Sequence, residues 1–216
     1  MSLQGLLAAA LLLASPFAAA QTPVPQLRTE PTGGGSIFHV RNVSSQPLTA
    51  FLIELVDYPG SSYSFFEDDV TSGGMPPGTE KRIPVANMTV GAVPDYVKIQ
   101  AALYADGSSS GADGKVAQLV ERRRFVLQTT RELIARLEKA QSSNLPASSA
   151  IGELKQWADS MQPAAKGRTS QKSINEAAAR ALIAETSAGL ESHPLNETLA
   201  RLQASERAQA ASKPAL

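Results

Sequence analysis

Between residues 36 and 105 apolar and polar positions alternate in short runs broken by turn residues; beyond residue 113 the apolar spacing lengthens to that of a helix. Val97, Ile99, Ala101 and Leu103 alternate with Lys98, Gln100, Ala102 and Tyr104, the pattern of a half-buried strand. Residues 37–43 predict a short strand, and 48–58 a longer, mostly apolar one with the character of a central strand. Residues 63–70 and 81–85 are weaker candidates, and Pro84 assigns the second to a sheet edge. Ser44-Ser45-Gln46-Pro47, Pro59-Gly60-Ser61-Ser62, Met75-Pro76-Pro77-Gly78 and Asp106-Gly107 supply the turns. No ten-residue helical pattern separates the strands, so the sheet is expected to be antiparallel and the fold a small sandwich.

Asp113 is a candidate N-cap for a helix reaching about residue 141, with Val116, Leu119, Val120, Leu127, Thr130, Leu133, Ile134 and Leu137 at helical spacing. Such a helix runs ~43 Å at ~1.5 Å per residue, longer than strands of ~17–20 Å. Its first turns, at Val116 and Val120, are therefore expected on the sheet. Its later turns should meet further helices through Leu154, Trp157 and Leu182. Ser148 or Ser149 would cap the second helix, Ser170 or Ser173 the third, and Pro194 would open the fourth. From Ser205 onward no apolar stripe continues, and this tail is expected to fray.

The amino-terminal residues read as an address. Residues 6–13 are an apolar run, followed by Pro16 and Ala18-Ala19-Ala20, the pattern of a secretory signal peptide cleaved after Ala20. Residues 21–35, with Pro23, Pro25, Pro31 and Gly33-Gly34-Gly35, read as a flexible linker. The expected organisation is thus a signal peptide at 1–20, a linker at 21–35, a sandwich domain at 36–112, a helical region at 113–204 and a frayed tail at 205–216. The run at 6–13 is too short for a membrane span, which needs ~20 apolar residues, and no other stretch approaches that length. The chain lacks cysteine, which suits a bacterial periplasm or exterior better than a disulfide-dependent animal one. Three Asn-x-Ser/Thr triplets, at Asn42, Asn87 and Asn196, pull the other way. Export from a bacterium is the expected destination.

Val40-Arg41-Asn42-Val43-Ser44-Ser45-Gln46-Pro47-Leu48-Thr49-Ala50 resembles the opening of secreted bacterial immunoglobulin-like modules of the CARDB or FxLYD type. There a strand ends in Asn-x-Ser, turns, and returns as an apolar strand. Residues 75–85, from Met75-Pro76-Pro77-Gly78 to Val85, are similar to a later turn and strand of such modules. The resemblance covers about 70 residues. It implies an immunoglobulin-like β-sandwich for these residues and leaves the helical half unexplained. With the helical spacing beyond residue 113, the expected class is α+β, a small antiparallel sandwich followed by a long helix and a helical carboxyl-terminal region. The resemblance also implies an adhesion, scaffolding or interaction role, and it transfers no catalytic residue.

Charge excludes some functions. Lys and Arg number 20 and Asp and Glu 20, a net charge of zero that provides no global field for nucleic acid or an anionic membrane. The distribution is uneven: residues 21–112 carry 5 basic and 9 acidic side chains, net −4, and residues 113–141 carry 7 and 4, net +3. Much of that excess is Arg122-Arg123-Arg124. Arg122 and Arg124 are candidate ligands for a carboxylate, a phosphate or an acidic partner, whereas Arg123 lies on the apolar stripe, its stem aimed at the sheet.

Of the ten aromatic residues beyond residue 20, four cluster at Tyr58, Tyr63, Phe65 and Phe66 around a Pro-Gly-Ser-Ser turn. Aromatic rings with Ser and Gly are the composition of adaptable binding loops and could stack on sugar or peptide. Gly107-Ser108-Ser109-Ser110-Gly111 matches G-x-S-x-G, but a nucleophile elbow needs a parallel sheet that this strand pattern lacks. Read as a calcium loop from Asp106, the same segment has Ala117 where a bidentate Glu is required. The sequence carries no H-E-x-x-H and no G-x-G-x-x-G, and only two histidines, so no metal or cofactor is expected. The leading expectation is an exported, non-enzymatic interaction or scaffold protein whose partner is another protein or a glycan. The alternative is a carbohydrate-binding module, or a carboxylate-dependent glycoside hydrolase using Glu54, Glu67, Asp68 or Asp69, so catalysis stays open.

Overall fold

A computed structural model describes residues 22–55, 64–86, 97–161 and 170–214. The expected signal peptide, Tyr58 and Tyr63 lie outside these residues. The chain is α+β: among the described residues seven strands form two antiparallel sheets, and four helices follow.

The first sheet has the order β1-β2-β5, from Gln26–Thr32, Gly35–Arg41 and Glu80–Ala86. The second has the order β4-β3-β6-β7, from Ser64–Asp68, Leu48–Leu55, Val97–Tyr104 and Ser109–Gly111. The linker expected at 21–35 is corrected here. Gln26–Thr32 pairs with Arg41 to Gly35 across a tight turn at Gly33-Gly34. Pro31 is tolerated because β1 is an edge strand, where a missing N–H costs no ladder bond on the outer side. Pro84 likewise sits on β5, the other edge of that sheet.

Phe38 and Val40 of β2, Ile83 and Val85 of β5, and Phe51 and Ile53 of β3 bury their side chains between the two sheets. Ala50 and Leu52 of β3 point the other way, onto Leu119 of the long helix. The mostly apolar run at 48–53 is thus a strand covered on both faces.

β6 departs from its alternation. A register shift against β3 between the Leu52–Ala101 and Ile53–Ile99 pairs flips the strand. Val97 and Ile99 therefore face the first sheet, while Ala101 and Leu103 face the helix. Beyond it, β7 lies so close to β6 that a Cβ on Gly111, at φ 101°, would stand 2.1 Å from the Gln100 carbonyl oxygen. Only glycine fits there.

The long helix α1 spans Asp113–Ser142, followed by α2 Ala147–Ser160, α3 Gln171–Ser192 and α4 Leu195–Ala210. The cap of α1 is Ala112 rather than Asp113, which is its first residue. Ser170 caps α3, its hydroxyl accepting from the Ser173 amide at 3.2 Å. Val116 and Val120 of α1 pack on the second sheet with Leu119. Leu133 and Leu137 form a separate core with Leu154, Ile183, Leu190, Leu199 and Leu202, flanked by Trp157 and Leu182.

The tail is also corrected. α4 continues to Ala210, and Gln209 is buried. Polar contacts hold it where an apolar stripe is missing: Gln209 donates to the Ser205 hydroxyl at 3.1 Å and its amide oxygen accepts from Thr130 at 3.4 Å. No helix of the described residues is long and apolar enough to cross a membrane.

Candidate functional site

Where β4 and the 3₁₀ turn at Val70–Ser72 meet α1, α3 and α4, the chain forms a cleft of about 430 Å³. Strand alternation decides what β4 contributes. Phe65 turns inward to the sandwich core, where it meets Phe38 edge to face with ring centroids 6.4 Å apart. Phe66 turns toward the helices and lines the cleft. The aromatic group expected around the Pro59 turn is therefore split in its described members.

The arginine triplet is split by helical rotation. Arg124 is exposed. Arg123 is buried at 1% exposure, with Nε 2.8 Å and Nη2 3.0 Å from the two carboxylate oxygens of Asp68. Its Nη2 also donates to Thr49 at 3.2 Å, and its Nη1 to the Lys213 carbonyl at 3.0 Å. One guanidinium thus ties β3, β4, α1 and the carboxyl-terminal segment together.

Arg122 behaves differently. Its guanidinium carbon lies 4.9 Å from the centroid of the Phe66 ring, a cation–π contact that holds the charge over the ring face. One nitrogen donates to the Ile174 carbonyl at 3.4 Å. It forms no ion pair with a described carboxylate. Burial pulls its pKa below the ordinary arginine value, opposed by the more distant charges of Asp68 and Glu67.

The acids around the cleft are already committed. Glu67 and Asp69 both accept from Lys81 of the opposite sheet, Asp69 at 2.7 Å, and Asp68 is taken by Arg123. Desolvation pulls the Lys81 ammonium down, yet its bonds to Asp69 and Glu67 outweigh that and raise its pKa. Glu54 accepts from Lys115 at 2.8 Å. All four carboxylates singled out for acid–base chemistry therefore face a lysine or arginine. Val126, Ala178 and Leu182 supply apolar wall, and Glu185 stands on the exposed rim.

The serine loop proves to be a hairpin. Asp106 accepts from the amide and hydroxyl of Ser108 at 2.9 and 2.7 Å, which holds its carboxyl below the usual range. Ser110 is buried on β7, 3.3 Å from the Tyr104 hydroxyl. Among the described residues no three His, Asp or Glu side chains are grouped to hold a metal ion.

Sequence reasoning missed two features. His39 is buried on the outer face of the first sheet with Nδ1 2.8 Å from Glu80 and Nε2 2.8 Å from Glu30. Alternation along β2 placed it opposite Phe38 and Val40, but the flanking carboxylates come from two other strands. Asn42 is fully buried: its amide donates to the Gln46 and Met75 carbonyls and its oxygen accepts from Ser44. In the folded chain that triplet is a turn whose side-chain amide is wholly engaged. Comparisons with family models, with curated proteins and with solved structures return no match for this chain.

Proposed function

We propose that the chain is an exported, non-enzymatic interaction protein that seats its partner in the cleft between β4 and helices α1, α3 and α4. Arg122 carries this reading. A guanidinium partly withdrawn from water and bonded to no carboxylate loses hydration free energy, and a partner's anion returns part of it. Arg123, in the same wall, already holds Asp68, and Glu67 is held by Lys81 of the opposite sheet, so Arg122 is the lining cation left for a partner. The carbohydrate reading draws less support. Phe65 is committed to the sandwich core, Phe66 lies under Arg122, and the carboxylates a hydrolase would use are each held by a basic side chain.

The test is site-specific photo-crosslinking in a bacterial host, with residues 1–20 retained and the periplasmic fraction collected. A benzophenone amino acid replaces Ala181 on the cleft rim or Arg82 on the outer face of the first sheet. The expected result is one adduct of defined mass from position 181, lost when Ala178→Trp fills the cleft, and none from position 82. Equal labelling at both positions, or no adduct at 181, overturns the reading.

A further inference from the structure

The polar inventory of the cleft narrows the chemistry of what it takes. Its wall holds Arg122 and Arg123 against Glu67 and Asp68, with Glu185 on the rim. Asp68 is spent on Arg123, and Glu67 on Lys81. One cation is unspent, and it stands beside carboxylates. A dianion such as a phosphate monoester would neutralise Arg122 and bring a second negative charge against Asp68, Glu67 and Glu185. A monoanion would not.

The fork is also geometrically prepared. Phe66 holds the guanidinium over its ring, and one long bond to the Ile174 carbonyl leaves most of its five N–H donors for a ligand. A planar carboxylate matches that fork with two parallel hydrogen bonds. Val126, Ala178 and Leu182 add an apolar wall at the same place. Ala178 and Ala181, three residues apart on α3, leave the wall low enough for a side chain to enter.

Resting on the reading of the cleft as the binding site, we propose that its ligand is a monocarboxylate with an apolar body. The carboxylate sits in the Arg122 fork and the apolar group lies along Val126, Ala178 and Leu182. A free aliphatic acid and the carboxyl-terminal residue of a polypeptide share this chemistry.

Calorimetric titration of the whole protein separates them. The probes are octanoate, an acetylated tripeptide ending in leucine, the same tripeptide as its carboxamide, and inorganic phosphate. The proposal expects a carboxylate probe to bind, with the amide weaker by about tenfold or more, the loss of a charge-assisted pair. Arg122→Gln should reproduce that loss. Arg122→Lys should restore only part of it, since an ammonium offers no planar fork. Arg124→Gln, at the exposed neighbour, should leave binding unchanged. Preference for the tripeptide over octanoate identifies a polypeptide terminus, and the reverse a free acid.

Amide binding equal to acid binding, tighter binding of phosphate, or undiminished binding by Arg122→Gln each overturns the proposal. So does the failure of both carboxylates to bind. The acid–amide comparison needs no mutant, so a poorly folded variant leaves the test intact. If both carboxylates fail while the position-181 adduct persists, the interaction reading stands and only the ligand class is wrong.

Discussion

Asp68 on β4 and Arg123 on α1 form a two-bond ion pair, 2.8 and 3.0 Å, that joins the sheet to the long helix across 55 residues of chain. The two ends are unequal. The Arg123 side chain is 1% exposed and that of Asp68 27%. Solvent can rehydrate the carboxylate if its partner goes, but it cannot reach the guanidinium.

That asymmetry orders two substitutions. Asp68→Ala strands a buried cation and should cost about 3–5 kcal/mol. Arg123→Met removes the charge and keeps the stem's packing, so it should cost roughly 1–2 kcal/mol. Urea unfolding of both variants checks the order. A larger loss for Arg123→Met would mean that the bonds to Thr49 and Lys213, rather than the ion pair, hold the junction.

His39 sets a pH dependence on the opposite side of the sandwich. Its hydrogen bonds hold the carboxyls of Glu30 and Glu80 below the ordinary value of 4.5, burial opposing, with Arg28, Arg41 and Arg82 adding smaller pulls in the same direction. A carboxyl depressed in the folded state stabilises fully above its unfolded value and loses that contribution as pH falls through the folded one. The wild type should therefore lose stability on acidification below 4.5, and His39→Gln should lose less over the same interval. Melting temperatures between about pH 6 and about pH 3 measure this. Parallel curves for the two proteins would show that the histidine carries no acid sensitivity.

The sandwich and the four helices were legible because local pattern and tertiary burial agree there. The mostly apolar run of β3 marked a central strand, and Val116, Val120, Leu133 and Leu137 marked a helix with two docking partners. The β6 flip was hidden because Val97, Ile99, Ala101 and Leu103 satisfy a simple alternation. Only pairing with β3 reveals the extra residue. β1 was hidden by Pro31 and by the prolines and glycines on either side of it, which read as linker until β2 is seen to pair with it. In the cleft, Phe66 and Arg122 were both singled out from sequence, but their contact was not. β4 and α1 are brought together by the same junction that buries Arg123, and nothing in local spacing reports a contact across 56 residues. Gln209 and the alanines of α3 carried no chemical signal at all.

The helical core rests on the far half of α1. Leu137 is 1% exposed and packs with Leu133, Leu154, Ile183 and Leu199, away from the sheet that holds Val116 and Leu119. Leu137→Asp places a carboxylate there with no basic partner in the cluster, a cost of several kcal/mol that falls on the helices first. The chain's single tryptophan reports on that half: Trp157 flanks the same core, with the Arg136 guanidinium 4.5 Å from its ring centroid. The variant should show red-shifted tryptophan emission and faster limited proteolysis between Leu154 and Leu202. Peptides from β2, β3 and β6 should stay protected, because their core between the sheets uses none of these residues. Unchanged cleavage in the helices would mean that they hold together without the Leu133–Leu137 stripe. Equal exposure of the strands would mean that the Arg123 junction makes the sandwich and helices one cooperative unit. Dissociation of an oligomer by the same substitution would place the stripe in a subunit interface. Selective loosening of the helices is the outcome that two separate cores, joined by one long helix, require.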